Sequence, residues 1–465
     1  MLRIKSPTHM RELGRRKLKR TLCSALKYGA LVSGFIVLVG CCFILLFPNL
    51  LINNFAKPRA VAAFAEAFPG HALQIGEIQF DIWENLIECD LVTVNALDTS
   101  FECSVHAARL GGIDWTGLLW GSDSESEIFS DAHMETGAAV LTFHKAKQEL
   151  RLDRLHISVP SHELLARSVS YDQLLTDTQY FASSPFRQTR YRLEIPLLHL
   201  LGMDIIAAIQ GTGYRARSLA MHDVSADILV NMDKPYNAKS TRPLMPNNAL
   251  ASIKQSIALD SMNVIHGRFK YSEQFTHGGT PGVISVTDVV ASVLRINNQM
   301  TKPDTLIVHA SGVFMHAGTV KVFMEIPLKE GGLSMRYSGT LGRMNLDVLN
   351  AFLEPGEHRR ITSGTLQNAS FAVTVRSGRA VGSVSPAYSN LRISVLDEHT
   401  GSDSGFMNQV YSFIGKVFVI RGTNLPDEQG KIKIGSIRYK KRAHDTFFQL
   451  VWFALRGGLG EVVGF

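Results

Sequence analysis

Gly401-Ser402-Asp403-Ser404-Gly405 has the glycine spacing of a nucleophile elbow, the sharp strand-to-helix turn that presents a catalytic serine. Its central residue is Asp403, where that chemistry needs a hydroxyl, so the stretch is read as a loop before the helical spacing that starts at Phe406. Immediately upstream, Asp397-Glu398-His399 brings together two carboxylates and an imidazole, the groups that hold metals or move protons. Three adjacent polar residues after a strand are read here as a solvated turn. The chain has no HExxH, no CxxC pair, no P-loop and no GxGxxG opening a helix, and its other histidines form no ligand cluster. No catalytic residue, metal or cofactor is expected, and the chain is read as a non-enzyme. Asn368-Ala369-Ser370 fits a glycosylation sequon, which has meaning only in a eukaryotic secretory setting.

One motif is chemical only through its surroundings. Leu38-Val39-Gly40-Cys41 matches a lipobox, in which Cys41 would carry a thioether-linked lipid. It lies within YGALVSGFIVLVGCCFILLF, residues 28–47, which has no charge and as a helix would span roughly 30 Å, the hydrocarbon thickness of a bilayer. The 27-residue basic leader is long for a lipoprotein signal, and the sequence after Cys41 stays apolar as CFILLFPNLLINNF. An uncleaved anchor is the expectation, with lipoprotein processing at Cys41 as the alternative.

Arg3, Lys5, Arg11, Arg15, Arg16, Lys17, Lys19, Arg20 and Lys27 stand against the single Glu12, giving the leader a charge of +8 that should hold it in the cytoplasm. The formal charge of the whole chain is +7, so everything after Lys27 carries −1 and the basic balance belongs to the leader. A nucleic-acid partner, which needs a basic face on the folded part, is not expected. Acidic headgroups beside the membrane suit the leader better.

The elements beyond the anchor are mainly strands. Val61, Phe64, Ala65 and Phe68 mark a short amphipathic helix ending at Pro69-Gly70. After it the period becomes two: Ile78, Phe80 and Ile82 alternate with Glu77, Gln79 and Asp81, and Phe101, Cys103, Val105 and Ala107 alternate with Glu102, Ser104, His106 and Ala108. Val320, Val322, Met324 and Ile326, then Leu333, Met335 and Tyr337, then Phe371, Val373 and Val375 repeat the pattern, with hairpin turns between them. NLDVLNAFLEPG and FMNQVYSFIGKVF are helical punctuation, and the polar stretch 231–248 separates two β regions. Cys89 and Cys103, the cysteines beyond the anchor, could bridge a hairpin if the register sets them opposite, and two buried thiols are equally compatible.

Several stretches together resemble the AsmA-like family of bacterial envelope proteins, relatives of TamB-like and bridge-like lipid-transfer proteins. They are ALQIGEIQFDIWENLIECDLVTV after the anchor, LGGIDWTGLLWG, IALDSMNVIHGRFKYSEQ followed by GVISVTDVVASV, and LSMRYSGTLGRMNLDVLNAFLEP followed by ITSGTLQNASFAVTVRSGRAVGSVSPAYSNLRISVL. The C-terminal GKIKIGSIRYKKRAHDTFFQLVWFALRGGLGEVVGF is similar to that family's last strand and amphipathic segment. Residues 160–195 match least and are read as an insertion or loop.

The resemblance implies a mainly β fold, an elongated curved antiparallel β-sheet forming an open groove, on one N-terminal transmembrane helix. The expected organisation is 1–27 cytoplasmic tail, 28–55 anchor, 56–230 N-terminal β region, 231–248 linker, 249–442 C-terminal AsmA-like region and 443–465 amphipathic segment. It further implies a single-pass protein of the bacterial inner membrane with its bulk in the periplasm, binding phospholipid for transport or outer-membrane homeostasis. Phe101, Val105, Val320, Val322, Met324, Phe371 and Val373 are the expected lipid-binding residues, and Phe447 and Trp452 the expected membrane contacts. Alternation alone would favour a closed sandwich; the anchor, the near-neutral exported part, the missing catalytic motifs and the matched segments together favour the groove. The competing functional reading is a membrane-anchored β scaffold that binds other envelope proteins and no lipid. About 18 strands at roughly 4.8 Å each would reach on the order of 85 Å, short for bridging two membranes without a partner or oligomer.

Overall fold

Alternating apolar and polar residues build strands over most of the chain, and the computed structural model describes residues 48–464 except residue 116 and residues 118–124, 238, 240–241, 300–303, 329–331 and 397–419. The expected leader, most of the anchor with Cys41, the Asp397–His399 triplet, the Gly401–Gly405 loop and the helix at Phe406 lie outside the described residues. Among the described residues no helix is long and apolar enough to cross a membrane.

The strands are β1 (His71–Ile75), β2 (Ile78–Asp81), β3 (Leu86–Ala96), β4 (Phe101–Gly111), β5 (His133–Thr136), β6 (Ala139–Phe143), β7 (Gln148–Leu152), β8 (Arg154–Ser158), β9 (Glu163–Gln173), β10 (Thr189–Leu201), β11 (Tyr214–His222), β12 (Ser225–Asn231), β13 (Ile257–Gln274), β14 (Gly282–Asn297), β15 (Thr305–Phe314), β16 (Gly318–Pro327), β17 (Met335–Leu341), β18 (Met344–Asn345), β19 (Arg359–Arg376), β20 (Arg379–Val395) and β21 (Gly435–Lys440). All 21 belong to one mixed sheet. β1 with β2, β5 with β6, β7 with β8, β11 with β12, and β17 with β18 lie end to end, so the 21 strands make 16 rows in single file from β1/β2 to β21. Both expected β regions belong to this sheet.

The expectation of a purely antiparallel sheet is corrected at one joint. β11 and β12 pair in parallel with β13, because residues 232–256 carry the chain back to the end from which β11 began. A parallel neighbour requires such a crossover, whereas the remaining rows are joined antiparallel. Residues 160–195, read from sequence as an insertion or loop, instead supply β9 and β10 in the middle of the ladder.

A seam runs across the first ten rows at right angles to the strands. It starts between β1 and β2, where Gly76 N–H donates to Leu91 O, and passes the breaks β5/β6, β7/β8 and β11/β12. In the continuous strands it falls on residues with left-handed backbone: Ala107 in β4 (φ 49°), Ser168 in β9 (φ 51°), His266 in β13 (φ 56°) and Asp288 in β14 (φ 50°). Asp223 between β11 and β12 (φ 55°) lies on the same line. The register shifts there in β13 and β14, the mark of bulges, which bend a strand and reset which face its side chains occupy. Pro196 of β10 sits on the seam too, where its missing N–H removes no ladder bond.

Helices guard the two ends. At the first row, α1 (Pro48–Leu51) runs through a π-helical stretch, Ile52–Ala56, into α2 (Lys57–Ala67). The Asn53 amide donates to Ile78 O at 2.7 Å and accepts from Ile78 N–H at 3.0 Å, Asn49 Oδ1 accepts from Phe80 N–H at 2.7 Å, and Lys57 Nζ donates to Gly76 O at 2.7 Å. This i, i+4, i+8 stripe takes the hydrogen bonds of a missing neighbour strand. At the last rows, α4 (Phe447–Val463) lies on the sheet behind a Thr446–Gln449 capping box, with α3 (Asn350–Glu357) beside it. Leu450 and Ala454 of α4 join Ile326, Met335, Tyr337, Val373, Val375 and Ile437 in the main buried cluster.

An apolar strip on one face of the sheet

Residues directly opposite each other on neighbouring strands share a face. Starting from Phe80 and following partners row by row gives Phe80–Ile87–Leu110–Met134–Ile157–Leu164. The line continues Leu200–Leu219–Met262–Val293–Val308–Met324 and ends Tyr337–Val373–Gly382–Ile437. It crosses all 16 rows without a charge or an amide side chain. Across the seam a second line, Leu73–Val94–Cys103–Leu141–Leu150–Tyr171, continues through Leu193, Ala226, Phe269 and Val286 to Phe314.

The adjacent line on the other face is Gln79–Glu88–Arg109–Glu135–His156 in its first five rows. Polar contacts along this face include the Arg109–Glu88 ion pair at 2.8 Å and a hydrogen bond between His199 Nε2 and the Glu163 carboxylate at 2.6 Å. A depression of about 750 Å³ over β13–β17 and β19 is walled by Asn263, Ser292, His309 and Phe323 on one line and Ile265, Ser311 and Lys321 on the next. By register these are polar-face positions, but the depression is also lined by Ala310, Val322, Gly339 and Phe371 of the apolar-face line, so it borders both sets of residues.

Burial divides along the seam. On the apolar face the seam-side residues Ile78, Cys89, Thr136, Ala166, Ile195 and Val224 are buried. Asp90, Ala107, Ser168, Pro196, Asp223, His266 and Asp288 on the seam itself are exposed. Away from the seam, Leu73, Val94, Leu141, Leu150, Leu164, Leu200 and Leu219 keep part of their surface open although each is a large apolar side chain in a continuous sheet.

The expected lipid-binding residues all fall on the apolar face. Phe101 pairs with Phe143, Val105 with Val92 and Ala139, and Val322 with Ala310 and Gly339, with Val320 two residues away on the same strand. Met324, Phe371 and Val373 are on that face as well but at the end covered by α4: Val373 is 3% exposed within the main cluster, and the other two pack against it. Val373 is thus part of a packed core. No family model matches the chain, and none of the curated proteins compared with it matches in sequence.

Phe447 and Trp452, the expected membrane contacts, lie on α4 and are half-buried: Trp452 stands edge-on to Phe352 at 6.2 Å and Phe447 packs against the main cluster. Cys89 and Cys103 are free thiols; Cys89 faces Ala108 and Cys103 faces Val94, so the register does not set them opposite. Among the described residues no group of three His, Cys, Asp or Glu is placed to hold a metal.

The middle of the strip was missed by sequence reasoning. Leu164, Leu200, Leu219 and Met262 are in strands whose alternation resets at the seam, as when Ala166 and Val169 share a face three residues apart. A single period-two template loses phase there. The signal that could have found them is a pair of short alternating runs, one residue out of step, on either side of an exposed Ser, Asp or His.

Proposed function

We propose that this chain binds lipid acyl chains along the apolar strip of a sheet folded on its seam into an open trough, and that it takes part in phospholipid transport or homeostasis beside a membrane. The observation that carries the reading is the uncharged line through all 16 rows, most of it only half-buried. In a closed sandwich a second sheet would cover those side chains, and the described strands form only one sheet. The buried seam-side residues on the apolar face, opposite exposed seam residues, favour a fold towards that face.

Shielding a lipid from water is worth about 0.8 kcal/mol per methylene, so a strip of this length lowers the barrier to moving a chain without making or breaking a bond. Fifteen row spacings at about 4.8 Å give a trough of roughly 70 Å before twist shortens it. The uncharged run at 28–47 would tether the first row to a bilayer, as in the AsmA-like proteins that the sequence resembles.

Mass spectrometry of lipid retained by the full chain, purified in mild detergent and challenged with phospholipid, tests the reading. Stoichiometric phospholipid that is lost on placing a carboxylate in the strip supports it. A folded chain that retains none, and instead captures envelope proteins, supports the scaffold alternative.

A further inference from the structure

At one rim of the sheet, between α3, α4 and the ends of β13 and β21, lies a cavity of about 600 Å³. Its charged lining is Arg359, Arg442 and Arg456 with Glu273 and Glu357. Glu357 is already shared, 2.9 Å from Arg456 and 3.8 Å from Arg359. Glu273 is held under α4, where it accepts the Tyr271 hydroxyl at 2.6 Å and a hydrogen bond from Gln449, and burial pushes its pKa up. Arg442 stands over the Phe453 ring at 5.8 Å, and among the described residues its guanidinium makes no ion pair; only its backbone N–H reaches Asp445. Three guanidiniums therefore share the space with two carboxylates, Glu357 between Arg456 and Arg359 and Glu273 under α4.

The rest of the lining is aromatic and glycine. Phe275, Phe352, Trp452 and Phe453 form apolar walls. A Cβ added at Gly457 would meet nothing within 4 Å, so the cavity is open at that point of α4. The volume far exceeds an inorganic anion and falls in the range of small-molecule sites. Glu273 and Tyr439 of the lining lie on the apolar face, so the space opens from the strip's own side of the sheet.

We propose that this cavity binds the phosphate group of a lipid, with Arg442 and Arg456 on the phosphate and the aromatic walls on the first carbons of its chains. The inference rests on the trough reading and adds to it a preference for phosphate-bearing lipids. Guanidinium groups suit the site because each offers paired N–H donors to phosphate oxygens.

The test compares the full chain with Arg442→Glu and Gly457→Phe, incubated in mild detergent with phosphatidylglycerol, with diacylglycerol of the same chains, or with inorganic phosphate. Gly457→Phe fills the open space and replaces a helical glycine with a better helix former, so folding is retained. Phosphatidylglycerol capture should fall roughly fivefold or more in both variants, while diacylglycerol capture changes less than about twofold. Unchanged phosphatidylglycerol capture in both variants overturns the headgroup site. Arg442-dependent binding of inorganic phosphate without any such dependence for phosphatidylglycerol overturns the lipid source and leaves a free-anion site. Wild-type protein that captures neither lipid overturns the trough reading instead.

Discussion

Val322 and Val373 are both valines on the apolar face, and their surroundings separate two kinds of consequence. Val322 is half-buried between Ala310 and Gly339, whereas Val373 is 3% exposed beneath α4. A carboxylate at position 322 hydrates at the strip's open side, so Val322→Asp should give a folded chain holding several-fold less phospholipid. Lys321→Asp, on the polar face, should leave lipid content unchanged. Val373→Asp places the same charge where no water reaches, at a penalty of several kcal/mol, and should abolish cooperative unfolding in calorimetry. Burial raises the pKa of Glu273, so between the ordinary carboxyl value and this raised one the folded state binds more protons than the unfolded state. Its contribution to stability therefore falls as pH rises through that window, and Glu273→Gln should raise the melting temperature at about pH 8 with little effect at about pH 4.

Asn53 does for β2 what a neighbouring strand would do, and a local test follows. Asn53→Ala leaves the Ile78 N–H and C=O without partners at a cost of about 1–3 kcal/mol, and hydrogen exchange at Ile78 should accelerate while amides in β19 and β20 keep their protection. At the other end Leu450 is fully buried, and Leu450→Ala should destabilise the chain by about 2–5 kcal/mol in chemical denaturation. The sequence alone reveals β16 and β17 because they cross no bulge: Val320, Val322, Met324 and Ile326 keep one phase from end to end. It hides β9 and β10 because Ser168 and Pro196 interrupt the phase, and it hides the parallel joint because nothing in a strand's composition states the direction of its neighbour. The phosphate cavity is equally silent in sequence, since Arg359, Arg442 and Arg456 meet only when α4 folds back across the sheet.

Across the whole molecule the strip should behave as one continuous surface. An environment-sensitive apolar dye should bind the lipid-stripped chain, be displaced by phospholipid, and bind several-fold less to a Leu141→Asp, Leu200→Asp double variant in which two distant rows are charged. A strip broken into independent pockets would instead lose binding in proportion to the number of sites changed. The single-file order also governs how the chain bears load. Rows lie crosswise to the line joining the first row to the last, so a pull between those ends opens hydrogen bonds one row at a time and does not shear many together. The asparagine clamp holds the first row and α4 staples the last several, which leaves the rows between them to peel in steps, each releasing about one strand's length of slack. Such a chain yields by lengthening and reforms by zipping, a compliance suited to a tether between structures that drift apart.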